Sequence, residues 1–214
     1  YPDMKDSNTN VAYLDNFAIG MGADYYQKEN DSNREALQKY EAFVAQVFKS
    51  IGEIAPEEKA KKQVAFEKSI AKLMLTNEQS RDPNLSYNPL TVEELGALVK
   101  NINLPQLLKK VGMGEGKVIV SELRLYKDYD KFINANNLPL LKDYLKYMLV
   151  LSNITTLHED LDKLSFEFYD QYLRGQKEQR AIQKRAFSLI DGSLGEAFGK
   201  LYVEKFFPKE SKEQ

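Results

Sequence analysis

From Arg34 onward, apolar residues recur mostly every three or four positions, the spacing that gathers them on one side of a helix. In "REALQKYEAFVAQVFKSIG" they are Leu37, Tyr40, Val44, Val47, Phe48 and Ile51, with Asn33 placed to cap the start and Gly52 to close the end. Pro56, a first-turn proline, opens a second helix through "EEKAKKQVAFEKSIAKLML". The prolines and asparagines of "SRDPNLSYNPL" predict a loop, and Thr91 with Glu94 predicts a capping box opening "TVEELGALVKNI". Pro105 starts a short helix that Gly112 ends. Three more helices are predicted over "LRLYKDYDKFINA", "PLLKDYLKYMLVLSNITTL" and "EDLDKLSFEFYDQYLRG". The middle one begins at Pro139, and Leu157, Leu161, Leu164, Phe168 and Tyr172 line one face of the last.

The final helix begins near Gln179 and carries Phe187, Ile190, Leu194 and Leu201 on one face and Gly192, Gly195 and Gly199 on another. Each glycine inside a helix costs about 1 kcal/mol relative to alanine, so the pattern implies close approach by another backbone and a central place for this helix. The one credible strand is "KVIVSE", where Val118, Ile119 and Val120 are β-branched and follow glycines. A lone strand is not stable, so it must pair with something. The expected class is all-α, an irregular multi-helix domain with at most one or two short strands.

Composition narrows the partners. With 30 Lys and Arg against 32 Asp and Glu, the net charge of −2 supplies no footprint for nucleic acid or an anionic membrane. No apolar run approaches the ~20 residues of a membrane span; "YMLVLSNIT" fits a buried helix segment. The chain has no cysteine, which removes disulfides, thiol chemistry and cysteine-held zinc. It opens on the polar "YPDMKDSNTN" without an initiator methionine, so residues upstream are expected.

Candidate chemistry is sparse. "HEDLD" at 158–162 approaches the zinc-peptidase helix motif, in which His158 and the residue four further on would hold zinc and Glu159 would act as base. That second position is Asp162, and His158 is the only histidine, so a solvated helix start with Asp160 and Asp162 in its first turn is the favoured account. "GMGEGK" lacks P-loop spacing and precedes a strand, so it is taken as a loop. The tyrosines fall mostly at apolar helical positions and are assigned to packing. No residue is assigned to catalysis, substrate binding or metal.

Three stretches carry a family resemblance. Leu173, Gly175, Arg180, Leu194, Gly195, Gly199, Leu201, Tyr202, Val203, Phe207 and Pro208 resemble a signature of the neprilysin and endothelin-converting-enzyme family of zinc metalloendopeptidases. Arg81, Asp82, Pro83, Tyr87 and Asn88 are similar to a second family stretch, and Gly20, Met21, Asp24, Tyr25 and Tyr26 to a third. The family often places tryptophan at three points that are Leu104, Tyr147 and Gln183 here. The resemblance, to a bacterial oligopeptidase O-like member, covers nearly the whole chain.

It implies that residues 1–214 are part of a helical cap over a thermolysin-like catalytic domain, which this chain lacks together with the zinc-binding motif. The cap would gate peptide substrates and exclude folded proteins. This chain alone would carry no cofactor and be inactive; zinc belongs to the full-length protein, and the partners are the catalytic domain of the same polypeptide and peptides. The absence of cysteine points to a bacterial source, and family habit to export to periplasm or cell surface, with the cytoplasm as alternative. A cap without its partner would expose apolar surface near the last helix, Phe206 and Phe207. The alternative function is a stand-alone helical binding module without peptidase activity.

Overall fold

Most of the predicted helices form, and their first and last residues explain where. The structure, a computed structural model, describes residues 1–114 and 116–207, in two units, Tyr1–Phe168 and Tyr169–Gln214. The first unit starts with the antiparallel pair β1 (Pro2–Asp3) and β2 (Asp6–Asn10), then β3 (Ala12–Leu14) and α1 (Ala23–Gln27). α2 (Asp31–Ser50) is capped by Asn30, whose side chain accepts from the Asn33 N–H at 2.8 Å. Asn33 is therefore not the cap: its amide donates to the carbonyl oxygens of Asp24 and Lys28, joining the end of α1 to the first turn of α2. Gly52 takes the left-handed conformation expected of it, φ +75°.

α3 (Pro56–Ala71) starts at its proline. The predicted loop over 80–90 holds more order than expected, with a 3-10 turn, the single-turn α4 (Pro83–Ser86) capped by Asp82, and β4 (Asn88–Thr91). α5 (Val92–Leu98) has both bonds of the capping box, and α6 (Leu104–Lys110) ends ahead of Gly112. After β5 (Lys117–Val120), the helix expected over 123–135 is broken at Asp128 into α7 (Leu123–Lys127) and α8 (Tyr129–Phe132). α9 (Leu138–Leu157) is amphipathic rather than sunk in the core: of "YMLVLSNIT" only Tyr147 and Ile154 are buried. α10 (Glu159–Ser165) passes into a π-helical segment over Phe166–Tyr172; Leu161 and Phe168 are buried, whereas Leu157 belongs to α9, ahead of the break at His158, and is exposed.

The helical class holds, but the strands outnumber the one or two expected. β5 is the middle of a three-stranded sheet, parallel to β3 and antiparallel to β4, with Val118 opposite both Ala12 and Leu90. Val118, Ile119 and Val120 are all buried, which is why β5 reads as an unbroken apolar run. Its partners are three and four residues long and include Asn88 and Pro89, too short and too polar to stand out.

Among the described residues, the core of the first unit includes three clusters. Val92, Leu95, Val99, Leu108 and Tyr126 pack against Val118 and Val120. Phe66, Ile70, Leu125, Phe132, Leu141 and Tyr144 form a second, with Phe17 set against it. Tyr26, Tyr40, Phe43, Phe48, Tyr147 and Phe168 form an aromatic third, in which the Phe43 and Phe168 rings stack at 5.0 Å.

In the second unit, α11 (Ile182–Phe206) leaves helical geometry at Leu194, with φ −130° and ψ 24°. Phe187 and Phe198 would stand about 16 Å apart along a straight helix. Their rings meet edge to face at 5.2 Å, so α11 folds back at the kink. Gly192 and Ser193 precede the kink and Gly195 follows it, residue types at which helices bend. Among the described residues the expected close backbone approach is not there: a Cβ on Gly192 or Gly199 would meet nothing within 4 Å, and on Gly195 only Asp191 Oδ1 of the same helix, at 3.8 Å. None of the residues of α11 is buried, against the expectation of a central helix.

Candidate functional site

The one sequence motif with catalytic overtones lies where a helix begins. His158 is the residue before α10, in extended conformation and exposed, and its carbonyl accepts from the Asp162 N–H at 3.0 Å. Glu159, Asp160 and Asp162 occupy the first turn, where carboxylates favour the helix dipole. Among the described residues, no group of three or more His, Asp or Glu side chains could hold a metal ion. The described residues of this chain therefore do not fit zinc. Glu115 of "GMGEGK" and Pro208 lie outside the described residues.

A dense polar site is buried in the first unit and centres on a carboxyl that the sequence pattern leaves unmarked. Glu67, 0% exposed, sits on the inner face of α3 one turn from Gln63. Its Oε2 accepts from Tyr26 Oη at 2.5 Å and the Gly20 N–H at 3.2 Å. Its Oε1 accepts from Gln63 Nε2 at 2.8 Å and Tyr40 Oη at 3.1 Å, and Tyr40 Oη lies 2.9 Å from Tyr147 Oη. Burial pushes the Glu67 carboxyl above the usual range, against the pull of these four donors. Two residues of the Gly20–Tyr26 stretch thus serve to tie it to α3. Gly20 must be glycine, because a Cβ there would lie 1.7 Å from Tyr40 Oη. The signal available in the sequence was a Gln and a Glu, four apart, on the apolar stripe of α3.

The second resembling stretch is also explained by local bonds. Asp82 accepts from the Asn84 N–H at 2.9 Å, Pro83 takes the first helical position, and Asn88 Nδ2 donates to the Val120 carbonyl at 2.9 Å. Tyr87 Oη donates to Asp3 Oδ1 at 2.8 Å; the Lys5 N–H shares that oxygen, and Lys117 of β5 ion-pairs with Oδ2. The Lys117 ammonium, chiefly, lowers the buried Asp3 carboxyl to about 2. A groove of about 560 Å³ opens along α9 beside Pro139, Leu145 and Leu149. Lys59 and Lys146 at its edge are engaged by Glu53, and Lys59 also by Asp143 at 2.8 Å. Nothing in these clusters pairs a nucleophile with a base.

What the arrangement resembles is decided by the chain as a whole. Residues 1–214 match the family model described as peptidase family M13. The chain belongs to that family. It is 26% identical over 213 residues to the neutral endopeptidase of Lactococcus lactis subsp. lactis (strain IL1403), covering 99% of this chain and 34% of that one. To endothelin-converting enzyme 1 of Homo sapiens it is 25% identical over 218 residues, covering 98% of this chain and 28% of the relative. The M13 chain thus spans about a third of the length of these relatives. In fold it is similar to the zinc metalloprotease Zmp1 of Mycobacterium tuberculosis, with a TM-score of 0.87 at 23% identity, over 100% of this chain and 33% of that one. The likeness to PepO of Lactobacillus rhamnosis HN001 has a TM-score of 0.85 at 20% identity, over 98% of this chain and 34% of that one. At these identities the structures speak for the fold alone. Among the described residues, no helix of this M13 chain is long and apolar enough to cross a membrane.

Proposed function

We propose that this chain is the N-terminal, helical cap portion of a zinc-dependent metalloendopeptidase of family M13, gating peptides on their way to a catalytic domain encoded elsewhere in the same polypeptide. The observation that carries the reading is the family match along all of residues 1–214 in a chain that spans about a third of its relatives. Two features support it. The polar clusters of the first unit are occupied with holding segments together and leave no acid–base pair over. Leu194, Leu201, Tyr202 and Phe206 of α11 are exposed, apolar surface of the kind that interdomain contacts of about 600–1,500 Å² cover. Zinc, on this reading, is held by residues outside this chain. The reading also carries a bacterial source and export to periplasm or cell surface.

The experiment is a zinc and peptidase assay on the purified chain beside the full-length protein. The full-length protein is expected to bind one zinc and hydrolyse short unstructured peptides but not folded proteins. The chain alone is expected to retain no stoichiometric zinc and cleave nothing. Zinc bound to the isolated chain, with hydrolysis abolished by His158→Ala, would replace the cap with a free-standing enzyme. A full-length protein without zinc or hydrolysis would favour a helical binding module.

A further inference from the structure

Glu67 is an unusual anchor, because every group that bonds it is a neutral donor. Tyr26 from α1 and Gly20 ahead of it hold one carboxyl oxygen, and Gln63 and Tyr40 from α3 and α2 hold the other. The titratable groups that bond it, extend its hydrogen-bond chain or feel its charge are phenols: Tyr26, Tyr40, Tyr147 beyond Tyr40, and Tyr144 of α9. None of the leading influences on it is an ammonium or a guanidinium.

The same surroundings offer a place for a proton. The Tyr40 hydroxyl lies 3.1 Å from Oε1 and can turn its own hydrogen to Tyr147 Oη at 2.9 Å, reversing the chain of bonds. Gln63 Oε1 is buried without a hydrogen-bond partner, and turning that amide over brings an acceptor to 2.8 Å from the carboxyl. The ionised acid satisfies four neutral donors; the neutral acid has two acceptors within reach, both at Oε1.

We infer that Glu67 and its donors form a proton-operated latch that fastens residues 20–26 to α2, α3 and α9, tight when the carboxyl is protonated and looser when it is charged. Burial, which raises this carboxyl, sets the direction. A group whose folded pKa lies above its unfolded value stabilises fully below the unfolded value, and that contribution is lost as pH rises through the folded one. The latch therefore slackens toward alkaline pH, first at Gly20, whose N–H bond to Glu67 is the longest of the four. This is independent of the peptidase reading and stands or falls without it.

The test is denaturant unfolding of this chain and of Glu67→Gln from about pH 4 to about pH 9, spanning the ordinary glutamate value near 4.3. The wild-type midpoint is expected to fall with pH relative to Glu67→Gln, which stays protonated in effect and ends the more stable of the two at the alkaline side. Taking the difference removes Glu122, which burial also raises. Tyr26→Phe deletes a donor to the charged form, so its fall should extend to higher pH. Superimposable profiles for wild type and Glu67→Gln, or a Tyr26→Phe profile that does not move, would overturn the latch. Should Glu67→Gln fail to fold, infrared spectroscopy of the wild-type chain decides. A protonated-carboxyl band outlasting those of exposed glutamates is expected, and its loss together with theirs would overturn the inference.

Discussion

Two long helices, α2 in the first unit and α11 in the second, both carry large apolar residues and meet opposite fates. α2 buries Tyr40, Phe43, Val44, Val47 and Phe48, while α11 buries nothing. The stripe of α2 is answered by others in its own unit, with Tyr147 of α9 and Phe168 completing an aromatic cluster around Tyr40. Among the described residues of the second unit, the two halves of α11 meet each other through Phe187 and Phe198. An apolar face shows that a helix has a side to cover; which segment covers it depends on what else the unit contains.

Substitutions can break this contrast. Ile70→Ala, at a fully buried site in the first unit, is expected to cost about 2–5 kcal/mol in denaturant unfolding. Leu201→Ala, exposed on α11, is expected to change stability by less than about 0.5 kcal/mol. Equal costs would mean that α11 is packed like a core helix in solution. Glycines provide a second pair of opposite sign. Gly20→Ala drives a methyl into Tyr40 and should destabilise by about 1–3 kcal/mol. Gly199→Ala, with open space around it, should stabilise by up to about 1 kcal/mol through helix propensity. A loss at Gly199 in the same melts would reveal a neighbour against its bare face.

The smallest effect is a slope rather than an offset. Asp3, lowered to about 2, adds stability above the unfolded carboxyl value of about 3.9, and that contribution drains away as pH falls from there toward about 2. Amide protection of Lys117 and Val118 should weaken over that acid window in the wild type and not in Asp3→Asn. An unchanged acid profile in Asp3→Asn would show that the sheet is held without the ion pair.

The helices were legible because their signals are local. Thr91 and Glu94 cap each other three residues apart, and Pro56 fixes the first turn of α3 without outside help. The strands around β5 were not, since the partners of Val118 lie at Ala12 and Leu90 and nothing near 118 says so. The polar sites were hidden for the same reason: Glu67 is defined by Gly20, Tyr26 and Tyr40, on other elements, and Asp3 by Tyr87 and Lys117. The glycines of α11 misled because they were read for contact. Gly192 and Gly195 instead flank a bend at Leu194.

The parallel pairing of β3 with β5 also sets a schedule. Ala12 and Val118 lie about a hundred residues apart in sequence, whereas β4 is a near neighbour of β5. At ~5–20 residues per second on the ribosome, β3 waits roughly 5–20 s for its partner to be made. Throughout that interval its backbone edge is open to any extended segment that passes. The strand made early is the one that must be inserted late, after β4 and β5 have had the chance to pair. The rate at which this chain completes its sheet is thus bounded by translation, before any barrier of its own.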